Sequence, residues 1–416
     1  MNAFLILAEV PLPAPQWLTV LIFAATYAVI AIGRLPFRFR LDRTGAALLG
    51  ASLMVACGTL SLSEAYKAID FDTITLLLGV MIVVANLRLS GFFRIATSWV
   101  VARARKPWML LVAVTLVSGL FSAFLVNDTI CLVLVPLVLE VVTHLRRNPI
   151  PYLLAIAMAS NVGSTATITG NPQNIIIGSL SHIPYSRFAA ALSPIAAIGL
   201  ALTAILIILF FREEFLTSEI LRGEKLHVNA NGPLVMKAIV VTVAMIVALF
   251  FVQPAAKIAI VAGSALLVTR RLKAEKVYRE IDWSLLMMFC GLFIVVAGLE
   301  KAVLTPRILD AVRSLHLERT AILSGVTVVL SNLVSNVPAV LVLKPFLTQL
   351  ADQNRAWLTV AMASTLAGNF TILGSVANLI VVQKARAHHV EISFWTYFKI
   401  GAPLTAFTIL VGIWLL

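Results

Sequence analysis

The chain has 416 residues, of which 60% are hydrophobic and 12% charged, and its mean hydropathy is +0.99. So few polar side chains cannot cover a water-facing domain of this size, which excludes a soluble globular protein. The formal charge of +13 invites a nucleic-acid partner, but the cations collect between apolar segments rather than on one face, which excludes that reading too.

Residues 1–16 form an N-terminal segment, MNAFLILAEVPLPAPQ, with no basic stretch and three prolines, so it does not read as a cleavable leader. Apolar runs then predict helices over 17–33, 44–60, 73–89, 107–126, 129–145, 150–169, 192–211, 233–252, 257–270, 283–299, 319–335, 338–351, 357–373 and 400–416. Two pairs, 107–145 and 319–351, are broken by the short polar tips VNDT and VSNVP. Each reads as a re-entrant helical hairpin, which leaves ten crossings. GFFRIATSWVVARARK (91–106) mixes bulky apolar residues with cations and reads as an interfacial helix.

The charges test this arrangement. With the segment 34–43 (Arg34, Arg38, Arg40, Arg43) placed inside, the inside segments hold 23 of the 32 Lys and Arg, and nine fall outside. The positive-inside bias therefore places both termini outside a plasma (inner) membrane. Lys344 reads as snorkelling toward the outer interface. Cys131 reads as core packing, and His388 and His389 as solvated residues of an inside loop.

The chain also matches itself. IDFDTITLLLGVMIVVANL (69–87) corresponds to IDWSLLMMFCGLFIVVAGL (281–299), with Asp70 on Asp282 and Gly79 on Gly291, 212 residues apart. FSAFLVNDTICLVLVPLV (121–138) corresponds to LSNLVSNVPAVLVLKPFL (330–347), with Asn127 on Asn336 at an offset of 209. AMASNVGSTATITGNPQNIII (157–177) corresponds to AMASTLAGNFTILGSVANLIV (361–381), with Gly170 on Gly374 and Asn174 on Asn378 at an offset of 204. The fold expected is an all-α polytopic membrane protein made of two repeats. Repeat 1 covers 17–211, with spans in 17–89, hairpin 107–145, broken helix 150–182 and span 192–211. A cytoplasmic linker, 212–232, precedes repeat 2 at 233–416, with spans in 233–299, hairpin 319–351, broken helix 357–383 and span 400–416. Five crossings plus one hairpin per repeat invert the second copy, the plan of many secondary transporters with a site where the interruptions meet.

Unpaired backbone at membrane depth survives only where it lines a cavity or is buried in protein. The hairpin tips supply Asn127, Asp128 and Thr129, and Ser335 and Asn336, as candidate contacts. The broken helices supply Thr167, Thr169, Gly170, Asn171 and Asn174, and Thr371, Gly374, Ser375 and Asn378. Asn161, Ser164 and Thr165 precede the first break, and Asn369 stands at the position matching Thr165. Free N–H groups at such breaks suit an anion, whereas carbonyl, Asn and Ser oxygens suit a cation or a neutral hydroxylated solute. Gly170 and Gly374 are expected to supply backbone freedom, and Pro172 to open the resumed helix. Asp128 is a candidate proton carrier, a role that can coexist with capping the second hairpin arm; its counterpart is Val337.

FLVNDTICLVLVPLVLE (124–140) and ASNVGSTATITGNPQNIIIGSL (159–180) resemble the ion transporter superfamily. Within it, the chain is similar to the citrate-transporter-like branch that includes arsenite permeases, NhaD-type antiporters and SLC13 anion permeases. The resemblance implies a scaffold domain of the first three spans of each repeat, a transport domain of hairpins and broken helices, elevator movement, and a homodimer through the scaffold. Dicarboxylate members carry Ser-Asn-Thr at both tips, beside sodium; here the tips read Asn127-Asp128-Thr129 and Ser335-Asn336-Val337. The first is closer to the arsenite-permease pattern, which implies proton-coupled export of a small anion or an arsenite- or antimonite-like solute. A sodium/proton antiporter, a di/tricarboxylate symporter and a channel with paired half-helices are the alternatives. The partners expected are a small solute or ion and the lipid bilayer, with H+ or Na+ as coupling ion and no other cofactor. No metal-ligand cluster, nucleophile elbow or phosphate loop points to an enzyme.

Overall fold

The computed structural model describes residues 16–32, 41–217, 221, 231–269, 271–303 and 315–416. These fold into twenty α-helices and two short 3-10 turns. The first half contains α1 (Gln16–Ile32), α2 (Arg43–Ala56), α3 (Leu62–Ala68), α4 (Phe71–Ser90), α5 (Phe92–Arg103), α6 (Pro107–Phe124), α7 (Asn127–His144), α8 (Pro149–Ser164), α9 (Pro172–Ser181), α10 (Tyr185–Phe210) and α11 (Arg212–Phe215). The second contains α12 (Gly232–Phe251), α13 (Ala255–Leu267), α14 (Ala274–Tyr278), α15 (Trp283–Val303), α16 (Thr320–Val334), α17 (Asn336–Leu347), α18 (Gln353–Ala367), α19 (Val376–Ala387) and α20 (Phe394–Leu415).

Local chemistry explains the ends. Asp70 caps α4 by accepting from the N–H groups of Asp72 and Thr73, and Asp282 accepts from Leu285 N at the start of α15. These caps satisfy donors that a helix start leaves orphaned. α10 begins at Tyr185 rather than 192, and α20 at Phe394 rather than 400. Arg187 and Lys399 lie in those early turns and mask the helix from a hydropathy reading.

Seven of the described helices are long and apolar enough to cross a membrane, including both arms of the first hairpin, α6 and α7. Each arm has 18 residues, or about 27 Å. The arms of the second, α16 and α17, are shorter at 15 and 12 residues. Large apolar side chains such as Trp17, Leu120, Phe251 and Trp414 are exposed on the outside of the bundle. In water such a surface would aggregate; in a bilayer it is the solvated face. At the centre stand α8 and α18, buried along nearly their whole length, with their few buried polar side chains hydrogen-bonded.

Two close crossings organise the first spans of each half. A Cβ on Gly79 of α4 would lie 2.4 Å from the Ala259 backbone of α13. One on Gly291 of α15 would lie 2.7 Å from the Ala47 backbone of α2. Gly79 and Gly291 are 212 residues apart, and so are Ala47 and Ala259, so each half's long helix packs on the other half's short one.

The ion pairs join charges assigned to the same side of the bilayer. Arg88 pairs with Glu280, and Arg147 with Glu214 at 2.8 Å, on the basic side. Lys301 meets Glu64 at 2.7 Å on the other side. Lys344 also belongs there, but it is paired with Glu300 at 3.2 Å instead of reaching freely for the interface. Its stem spans from hairpin arm α17 to α15, which supplies the partner a snorkelling lysine lacks. His388 and His389 are exposed.

The glycine crossings yield a test. Gly79→Ala and Gly291→Ala should each destabilise the purified protein by about 1–3 kcal/mol, because backbone cannot yield as a side chain does. Gly325→Ala, where an added Cβ meets nothing within 4 Å, should be neutral or slightly stabilising. Thermal unfolding in detergent decides; equal behaviour of all three variants contradicts the crossing geometry.

Candidate functional site

The two hairpin tips turn alike. α6 ends at Phe124, and the chain reverses through Val126 (φ 20°) into α7; α16 ends at Val334 and reverses through Ser335 (φ 77°) into α17. Val126 and Ser335 stand 209 residues apart, the offset that relates Asn127 to Asn336. Asn127 and Asn336 are therefore the first residues of their helices, where N–H groups lack intrahelical partners. Val126 N donates to Thr169 O at 3.3 Å, tying the first tip to the first break.

The breaks are built by one recipe. α8 stops at Ser164 and α18 at Ala367; 3-10 turns follow at Ile168–Gly170 and Ile372–Gly374. Asn174 Nδ2 donates to Ser164 O and Thr167 O, both at 3.0 Å. Asn378 Nδ2 donates to Gly368 O at 2.7 Å and Thr371 O at 3.1 Å. In each half one carboxamide thus satisfies two carbonyls freed by the break, the requirement for unwinding at membrane depth. Asn171 then caps α9, accepting from Asn174 N at 2.8 Å, with Pro172 in the first turn. Ser375 caps α19, accepting from Ala377 N at 3.2 Å. The glycines serve differently from the expectation. Neither has a positive φ; a Cβ on Gly170 would lie 2.1 Å from Ser164 O, and one on Gly374 3.0 Å from Gly368 O. Close approach of backbone to backbone is the constraint, and it is tighter at Gly170.

Asn161 joins the halves. Its Oδ1 accepts from Asn127 Nδ2 at 2.9 Å and Ser375 Oγ at 3.0 Å. Its Nδ2 donates to Asn369 Oδ1 at 2.9 Å and Asn378 Oδ1 at 3.0 Å. That uses the full capacity of a carboxamide. The matching position in the second half is Thr365, and it answers in kind. Thr365 Oγ1 donates to Asn174 Oδ1 at 3.3 Å and accepts from Asn171 Nδ2 at 3.1 Å. Each break therefore leans on the helix that precedes the other break.

The tips and breaks enclose a cavity of about 50 Å³. Asn127, Asp128, Ser335, Asn336 and Ser375 line it, joined by Arg43 and Gln173. Asn127 Oδ1 and Asn336 Oδ1 are buried and have no hydrogen-bond partner. One N–H of the Asn127 amide is committed to Asn161, and its partnerless Oδ1 offers the cavity an acceptor. Asp128 is half-buried beside them.

The other candidates serve the framework. Ser164 Oγ and Thr165 Oγ1 donate to Asn161 O. Thr167 Oγ1 donates to Ala123 O, and Thr169 Oγ1 meets Tyr185 Oη at 2.8 Å. Asn369 Nδ2 donates to Met158 O at 3.1 Å, so its side chain is consumed between α8 and α18. Thr371 contributes its carbonyl. Thr129 does not line the cavity. Cys131 is buried, with Sγ donating to Ser160 Oγ at 3.0 Å. The first break is buried throughout, while Phe370, Leu373 and Val376 of the second are exposed. Sequence reasoning missed Thr365, although the match of AMASN with AMAST places it on Asn161. It also counted Arg43 as a loop cation, whereas Arg43 opens α2 and faces the tips.

A family model described as citrate transporter matches residues 27–367. The chain therefore belongs to the citrate transporter family and is a multi-pass membrane transporter. Relatives include the silicon efflux transporter LSI3 of Oryza sativa subsp. japonica, 29% identical over 94% of this chain and 95% of the relative. An uncharacterised transporter of Mycobacterium tuberculosis is 31% identical, over 94% and 95% respectively. The putative transporter arsB of Dictyostelium discoideum is 26% identical, over 94% and 90%. Among solved structures, the YdaH transporter of Alcanivorax borkumensis shares the fold, with a TM-score of 0.59, 15% identity and 97% of each chain covered.

Asn161→Ala strips partners from both halves and should cost about 1–3 kcal/mol for each buried group left unsatisfied. Thermal unfolding of the detergent-purified variant should show a drop well beyond that of Cys131→Ala; a smaller drop contradicts the central place of Asn161.

Proposed function

We propose that this member of the citrate transporter family exports a small, uncharged hydroxylated solute of the arsenous- or silicic-acid type in exchange for protons. The observation that carries the reading is the pair of partnerless carboxamide oxygens, Asn127 Oδ1 and Asn336 Oδ1, at the two tips. A buried acceptor without a donor is costly, and a ligand with hydroxyl donors relieves both at once. A fully ionised anion has no proton to give them. The N-termini of α7 and α17 offer N–H donors to the same solute's oxygens. The cavity of about 50 Å³ admits a few water-sized groups, which favours a single tetrahedral or trigonal hydroxide over a tricarboxylate. Two relatives, a silicon efflux transporter and a putative arsB transporter, agree by name with that chemistry.

Asp128 is the carboxylate beside these acceptors and serves as the proton carrier. The reading takes the two halves as inverted repeats, with α1 to α4 and α12 to α15 as scaffold and the hairpins and broken helices as the moving domain. Supporting it are the reciprocal glycine crossings and the reciprocal contacts of Asn161 and Thr365. Carriage is then by elevator movement in a plasma-membrane homodimer joined through the scaffold, with both termini outside.

Purified protein in liposomes loaded with a pH-sensitive dye tests this. An imposed pH gradient should drive arsenous or silicic acid transport, with proton movement in the opposite direction. Asp128→Asn should abolish the proton movement, and Asn127→Ala and Asn336→Ala should each lower transport by about tenfold. Gradient-independent flux at channel rates, or sodium-driven citrate uptake, would falsify the reading.

A further inference from the structure

The cavity wall facing the hairpin tips carries an unpaired cation. Arg43 is half-buried at the first position of α2 and, among the described residues, makes no ion pair or hydrogen bond. Its guanidinium shares the cavity with Asp128 and interacts with it electrostatically. Asp282, the cap of α15, also faces Asp128, as do the Ala377 N–H at the start of α19 and the Cys131 thiol one turn along α7. Arg43 is thus the one cation among the groups facing that carboxyl in the described residues.

The offset of 212 that relates Gly79 to Gly291 and Ala47 to Ala259 takes Arg43 to Ala255. Ala255 is the first residue of α13, as Arg43 is of α2. It lines a second cavity, of about 80 Å³, with Asp72, Leu76, Ile168 and Tyr185. Leu76 and Leu285, Met288, Phe289 come from matching stretches of α4 and α15, so the two cavities have related scaffold walls. One wall presents a guanidinium and the other a methyl group.

We propose that Arg43 is the positioning residue for proton coupling: a scaffold cation that faces Asp128 on one side of the membrane only, so that the proton is released there and taken up where Ala255 stands instead. The inference rests on the reading of Asp128 as proton carrier. Beside Arg43 the carboxyl gives its proton to cavity water, and the carboxylate left behind is compensated by the guanidinium. Away from Arg43 an ionised Asp128 faces the wall of Ala255, where the exposed Asp72 and His182 supply no permanent cation, so the ionised form is costly in a membrane interior. The moving domain can then cross only with a proton on Asp128 or with solute hydroxyls donating to it. The two alternatives exclude each other, which is the condition for exchange. With the orientation given by the charge distribution, release is on the cytoplasmic side, as export requires.

Infrared titration of the purified full-length protein tests this without any solute. The protonated-carboxyl band of Asp128 is identified by its loss in Asp128→Asn. In Arg43→Ala its midpoint should lie about one pH unit or more above the wild-type midpoint, and in Arg43→Lys within about half a unit. Reconstituted with arsenous acid, Arg43→Ala should move fewer protons per solute, and Arg43→Lys should restore the wild-type ratio. Coincident midpoints in wild type and Arg43→Ala overturn the proposal, and Arg43→Gln serves the same comparison if the alanine variant does not fold. A shifted midpoint in a protein that moves no arsenous acid supports Arg43 and overturns only the choice of solute.

Discussion

The Asn161 carboxamide is the constraint on which the rest of the molecule depends. Two helices are broken where no water is available to hydrogen-bond their freed groups, and each unsatisfied group there costs free energy. Asn174 and Asn378 close the breaks within their own halves, through the carbonyls that precede them. Those closures hold only if the breaks are also fixed against each other. Asn161 does this with its four bonds to Asn127, Ser375, Asn369 and Asn378. The first tip, the second break and α8 are thereby tied together through a single planar group.

The halves share their framework and differ in their chemistry. Framework positions correspond closely: Val126 with Ser335 at the turns, Asn174 with Asn378 at the breaks, Gly79 with Gly291 at the crossings. The differences fall on charge and hydrogen-bonding capacity at the site and in the helices around it. Asp128 answers to Val337, Arg43 to Ala255, Asn161 to Thr365. A symmetric pair of charged tips would place two carboxylates together in a small space, and like charges disfavour one another's ionisation. Restricting the charge to one half avoids that conflict.

Much of this was legible in the sequence, because a bilayer leaves few options. Length and hydropathy locate the helices, and α4 and α8 begin within two residues of where the apolar runs do. The polar tips and breaks stand out for the same reason. What escaped were features that depend on direction. Gly170 signals a special backbone position, but only the fold reveals that Ser164 O, and not a left-handed φ, excludes a side chain there. Asn369 has the chemistry of a ligand, yet both ends of its amide are spent on α8. Arg43 belongs by sequence to a basic loop that orients the chain; α2 starts one residue before its hydrophobic run, at Arg43 itself, and the packing of α2 brings that residue to the cavity.

The central claim is that Asn127 Oδ1 and Asn336 Oδ1 lack partners because a transported solute supplies them. Crystals of the protein soaked in arsenous acid and recorded at the arsenic absorption edge address it directly. The account predicts one anomalous peak between the two hairpin tips, within hydrogen-bonding reach of both oxygens through the solute's hydroxyls. A peak elsewhere in the fold, or none at concentrations that saturate transport, would contradict it.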